Sequence, residues 1–139
     1  MDDHQFNKLV DLLKRILQIL REVKMNITFE KYEFSEPKRI AKWVPPEGAG
    51  LYVILKPDLS ISPLPLKPIY FGQSEDLSER GFIKSHHKYK DWIKEVGAEE
   101  HIFIARYQML GSTEKERKTI EAELIAKYQP VCNEKKEGS

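Results

Sequence analysis

The sequence predicts an α+β domain, a small central antiparallel three-stranded sheet flanked by helices, with an N-terminal helical arm. Two observations carry that reading. Three apolar runs rich in aromatic and β-branched residues, at 51–55, 68–72 and 101–107, have strand character. Elsewhere apolar residues recur at helical spacing between turn and cap signals, giving the order β, β, α, α, β, α after the arm.

Taken in order, Phe6, Leu9, Val10, Leu13, Ile16, Leu17, Leu20 and Val23 form a helical stripe, widened by Leu12 and Ile19. The stripe reads first as a helix docked on the domain and second as a dimerising coiled coil, so a homodimer through this helix is one expected partner. Residues 26–34 alternate ambiguously, as an extra strand or an extended arm. Ser35-Glu36-Pro37 reads as the start of a short helix ending before Pro45-Pro46. A turn-rich lead-in then opens the first strand, Leu51-Tyr52-Val53-Ile54-Leu55. A Pro-rich stretch from Pro57 to Pro68 joins it to the second strand and cannot itself continue a central strand. Together they make a hairpin that sets Tyr52 and Tyr70 on neighbouring strands.

Beyond Glu75 a helix is expected near Asp76 or Leu77, weakened at Gly81, with helical spacing over Ile83–Val96 and a stop at Gly97. His101–Tyr107 is the third strand. Thr113 and Glu116 form a capping-box pattern ahead of a helix from Glu114 to Tyr128, ended by Pro130. The expected division is 1–44 for the helix and arm, 45–133 for the domain and 134–139 for a polar tail.

Composition excludes several classes. With 40% hydrophobic and 32% charged residues the chain is globular rather than disordered, and its net charge of +1 gives no general argument for nucleic-acid or membrane binding. One cysteine, Cys132, permits no intrachain disulfide and no thiolate metal cluster. No apolar run reaches the roughly 20 residues needed to span a bilayer. Asp2, Asp3 and His4 are unlike the basic start of a secretory signal, so a cytoplasmic location is expected.

Gly50-Leu51-Tyr52, Tyr70-Phe71-Gly72, Gln73-Ser74-Glu75-Asp76-Leu77, Arg80, and Glu121 leading through Leu124-Ile125 to Pro130 and Asn133 form an ordered set. In this set the chain resembles the GIY-YIG nuclease superfamily over residues 45–133. Leu51 and Phe71 stand where the two signatures usually carry other apolar residues. The resemblance implies a metal-dependent endonuclease acting on nucleic acid, DNA being the expected substrate, with Mg²⁺ or Mn²⁺ as cofactor. It implies that Glu121 holds the metal, Arg80 neutralises the scissile phosphate, and Tyr52 orients or deprotonates the attacking water with Tyr70 beside it. Asn133 is implied to tie the chain end to the site, with Gly50 and Gly72 as structural neighbours.

The residue types suit that chemistry. Mg²⁺ favours carboxylates and retained waters, and a guanidinium fork fits phosphate oxygens. An unperturbed phenol, with a pKa near 10, is a poor base at neutral pH, so Tyr52 or Tyr70 would need a lowered value. Glu123, offset from Glu121 by two positions, lies on another helix face. For proton transfer, a continuous helix from Arg80 puts His87 on the same face, with Lys84 as substitute and His86 if Gly81 shifts the register. Arg80, Lys84, Lys88, Lys90 and Lys94 could form a basic strip. Two other classes compete: a non-catalytic nucleic-acid-binding module, and an assembly protein built on the N-terminal helix.

Overall fold

A computed structural model of the chain describes residues 2–22, 24–79 and 83–133. Arg80, Gly81, Val23 and the tail at 134–139 lie outside the described residues. The elements are α1 (Asp3–Glu22), β1 (Ile27–Phe29), β2 (Tyr32–Phe34), β3 (Lys38–Arg39), β4 (Gly50–Pro57), β5 (Leu66–Ser74), α2 (Tyr89–Val96), β6 (Phe103–Gln108) and α3 (Glu114–Tyr128). No helix among the described residues is long and apolar enough to cross a membrane.

The predicted hairpin and third strand form the body of an antiparallel sheet of order β3-β6-β4-β5. The α+β class stands, with β3 added as a fourth, two-residue edge strand and β1–β2 as a separate hairpin. β4 is central and its residues Leu51 to Leu55 are all buried. A strand without polar alternation needs cover on both faces, and it has it. Leu51, Val53 and Leu55 meet Phe71, Phe103 and Ala105 on one face, packed against Phe29 and Phe34 of the hairpin and Leu124 and Tyr128 of α3. Phe29 is the hub there, with edge-on rings at 5.3 Å from both Phe71 and Tyr128. On the other face Tyr52 and Ile54 meet Ile104, Leu77 and Trp92 of α2.

Local signals hold where backbone chemistry decides. Thr113 Oγ1 accepts from the Glu116 N–H at 3.1 Å and Glu116 Oε1 accepts from the Thr113 N–H at 2.8 Å, completing the capping box. Gly97 closes α2 at φ 100°, its N–H donating to Ile93 O.

The structure differs from expectation where long-range partners intervene. Ser35 starts no helix. Its N–H donates to Arg106 O at 2.8 Å and its Oγ accepts from the Arg106 N–H at 3.0 Å, so the chain runs on as β3 along β6. Residues 27–40, read with the arm, therefore contribute to the core of the domain. Asp76 also starts no helix. Its carboxylate accepts from Ser78 N–H and Oγ–H and from the Gly48 N–H, pinning a turn against the entry to β4. α2 begins only at Tyr89, after turns over 83–88.

The chain end covers the outer edge of β5. The Cys132 N–H donates to Ile69 O at 2.8 Å. Asn133 pairs with Phe71 as another strand would, Oδ1 accepting from the Phe71 N–H at 3.0 Å and Nδ2–H donating to Phe71 O at 2.9 Å. Asn133→Ala leaves both groups without a partner, so chemical denaturation should show a loss of about 1–3 kcal/mol. An unchanged midpoint would mean that the side chain adds nothing to the edge.

Candidate active site

Tyr52 stands directly opposite Gly72 in the β4–β5 register. A Cβ built on Gly72 would fall on Cζ and Oη of Tyr52, so the phenol occupies the space that a side chain there would need. Gly50 is equally constrained, because a Cβ would lie 2.6 Å from Tyr107 O and 2.9 Å from Leu77 Cδ1. Tyr70, opposite Ile54, leaves the sheet on the same face as Tyr52, and the two rings lie 6.1 Å apart.

His86 completes the group. Its Nε2 lies 2.8 Å from Tyr52 Oη, and its Nδ1 accepts from the Lys88 N–H at 3.0 Å. A neutral imidazole has one donor and one acceptor nitrogen. Since Nδ1 is the acceptor, Nε2–H donates to the Tyr52 hydroxyl oxygen. Trp92 backs the cluster, 4.7 Å from the His86 ring and 5.3 Å from that of Tyr70.

The expected histidine was His87, and the structure brings His86 to the tyrosines instead. His87 is exposed and only stacks on His86, at 4.6 Å. The reason is the backbone at 83–88. His86 N–H donates to Ile83 O and Tyr89 N–H to His86 O, so this stretch turns rather than continuing a helix. Lys84 is exposed. Lys88, one of the expected basic strip, ion-pairs with Asp91 at 3.7 Å.

Glu121 sits on α3, half-buried and without a hydrogen-bond or ion-pair partner among the described residues. Burial raises its carboxyl above the usual range, only partly offset by Lys118. Burial also raises the Tyr52 phenol, with Tyr70 and the charge of Glu121 adding to the effect. That is opposite to the lowering a resting phenolate base would require. Burial, then the neighbouring His87 and Lys88, lowers His86 to about 4, so it is neutral at pH 7. Glu123 faces elsewhere, its Oε1 accepting from the Tyr32 hydroxyl at 2.9 Å.

Sequence reasoning missed Arg117, which is 1% exposed. It reads as one more solvated charge in Glu114-Lys115-Glu116-Arg117-Lys118, yet Nε–H donates to Gln73 Oε1 at 2.8 Å and Nη1–H to Ser112 O at 2.8 Å. It fastens α3 to the end of β5, one turn before Glu121.

As a metal site, the donor set is narrow. Among the described residues no three His, Cys, Asp or Glu side chains converge. Glu121 fits a hard divalent cation as a carboxylate with no hydrogen-bond or ion-pair partner among the described residues, with waters and a phosphate to fill the remaining positions.

No protein-family model and no curated relative matches the chain. Among solved structures it is similar to the GIY-YIG N-terminal endonuclease domain of UvrC from Thermotoga maritima bound to its catalytic divalent cation, magnesium. The identity is 26% over 66% of this chain and 89% of that one, with a TM-score of 0.44. A cation-bound tyrosine-to-phenylalanine variant of that domain gives the same figures, and an asparagine-to-alanine variant gives 24% with the same coverage and TM-score. These overlaps are partial, and the resemblance rests on the residues themselves. With Gly50, Tyr52, Tyr70, Gly72, Glu121 and Asn133 placed in this way around one sheet, the chain is an α+β domain that resembles the GIY-YIG superfamily in these residues.

Proposed function

We propose that the chain is a divalent-metal-dependent endonuclease hydrolysing phosphodiester bonds in nucleic acid, with DNA as the expected substrate and a cytoplasmic setting. The observation that supports it most is the pairing of a half-buried Glu121, unpartnered among the described residues, with the His86–Tyr52 hydrogen bond and the Tyr70 ring beside it. A core needs neither a half-buried carboxylate with no ion pair among the described residues nor a histidine held neutral against two phenols. Hydrolysis needs a place for a cation and oriented groups for the attacking water.

In this reading Glu121 holds Mg²⁺ or Mn²⁺, which when bound supplies charge neutralisation and a more acidic water. Tyr52, protonated at rest, orients that water rather than deprotonating it in advance. His86, in place of His87, fixes the Tyr52 hydroxyl, with Tyr70 beside it. Arg80 neutralises the scissile phosphate. Asn133, Gly72 and Arg117 position the strand and helix that carry these groups. The competing module that binds without cutting would keep the phosphate contacts and lose the metal response.

A second reading concerns α1. Ile16 is buried in the core, but Phe6, Leu9, Leu12 and Leu13 are 58%, 47%, 43% and 37% exposed on the same helix. We infer that a second copy covers them, because their spacing suits helix pairing. Light scattering should give a dimer mass that falls to a monomer for Leu9→Glu/Leu13→Glu. A monomeric parent rules this out.

For the enzyme reading, Glu121→Gln should abolish cleavage of plasmid by Mg²⁺ or Mn²⁺. Its stability should move the other way. A carboxyl raised by burial opposes folding increasingly as pH climbs past its unfolded value of about 4.3, so the variant should melt higher than the parent at pH 7 and lose that advantage in acid. Added Mn²⁺ should raise the parent's melting temperature and leave the variant's unchanged. If the parent cuts nothing with any metal yet binds nucleic acid, the binding module is correct. Tyr52→Phe keeps the ring over Gly72 and should slow turnover about 10²–10⁴-fold. His86→Gln should slow cleavage more than His87→Ala, and the reverse order would return the role to His87.

A further inference from the structure

A second cleft opens on the sheet face that carries Tyr52. In the β4–β6 register Arg106 is the direct partner of Tyr52, so both side chains leave the sheet on the same side. Arg106 lines a cleft of about 350 Å³ with Lys38, Lys42, Trp43, Glu36 and Ser35. Both its backbone groups are taken by Ser35, so it faces Tyr52 as a non-hydrogen-bonded pair of the ladder. Arg106 Nε is buried and has no hydrogen-bond partner, and the side chain makes no ion pair among the described residues. Lys42, exposed at the end of a 3₁₀ turn, makes none either. Lys38 is partly neutralised by Glu36 at 3.3 Å.

A buried guanidinium nitrogen without an acceptor is costly unless a ligand supplies one. A planar fork next to a lysine suits phosphate oxygens. The position sets which phosphate. β6 adjoins β4, and β3 adjoins β6. At about 4.8 Å between strands, the cleft lies roughly 5–10 Å from the strand of Tyr52. That distance corresponds to about one to three nucleotides at a rise of about 3.4 Å. The outer edge of β5 is taken up by Cys132 and Asn133.

We propose that Arg106 and Lys42 form a second phosphate-contact site, gripping the nucleic-acid backbone a few nucleotides from the bond placed at Tyr52. This rests on the nuclease reading for the identity of the ligand, and it adds a basic surface at the β3–β6 edge. The grip positions the strand and is separate from the chemistry at Glu121.

Binding decides it, measured in EDTA so that nothing is cut. Fluorescence anisotropy of a short labelled duplex and of its single strand, across a salt series, gives the slope of log K against log[salt]. Arg106→Gln and Lys42→Gln should each weaken binding and reduce the duplex slope by about 0.9, and the single-strand slope by about 0.7. Lys42→Gln alone suffices if Arg106→Gln does not fold. Parent-like affinity and slope in the folded variants would overturn the proposal even if the parent cleaves. A parent that binds neither probe would overturn it as well. If the parent binds without cleaving and the variants lose slope, the phosphate site stands while the endonuclease reading falls.

Discussion

Tyr52 can lie where it does only because Gly72, facing it across the β4–β5 ladder, has no Cβ. The rest of the site follows from that one substitution of an aromatic ring for a missing side chain. The ring is held flat over the neighbouring strand, so its hydroxyl reaches the end of the sheet face where His86 and Tyr70 meet it. Phe71 between the two signature residues points the other way, into the aromatic core with Phe29 and Phe34. The alternation of a strand thus lets Tyr70-Phe71-Gly72 serve both layers at once. Asn133 bonds the backbone of Phe71 and fixes the strand from outside.

At neutral pH the buried Glu121 carboxyl works against stability, while the buried phenol and imidazole stay uncharged. A phenol raised by burial, an imidazole held neutral and a carboxyl without a partner among the described residues all gather at one end of the sheet. Groups in a low-dielectric setting interact more strongly with any charge that arrives, and the buried carboxylate costs folding energy until it does. This is the balance expected where a site is kept at some expense to the fold. Arg117 supports the same region by different means, a buried cation held by neutral acceptors on Gln73 and Ser112.

Much of this was legible in the residues because short-range rules governed it. The two tyrosine strands announce themselves through dense aromatic and β-branched runs, and the capping box of α3 and the Gly97 stop are local chemistry. Three features were not legible, each for a physical reason. Lys38-Arg39 is too short and too polar to read as a strand, and it exists because the edge of β6 offers it partners. Arg117 is buried by residues distant in sequence, so its neighbours in the helix give no sign of it. The choice between His86 and His87 depended on a helical register that turns at 83–88 interrupt. The bond that fixes the His86 ring, Lys88 N–H to His86 Nδ1, runs from backbone to side chain and depends on that turn.

The central claim is that His86 stands neutral with its proton on Nε2, donated to Tyr52. A ¹⁵N–¹H correlation of the histidine rings, followed through a pH titration, tests it most directly. The account predicts an Nε2–H tautomer for His86, with Nδ1 unprotonated and no titration until the pH falls to about 4. A His86 ring carrying its proton on Nδ1, or titrating near the ordinary value of about 6.5, would contradict it.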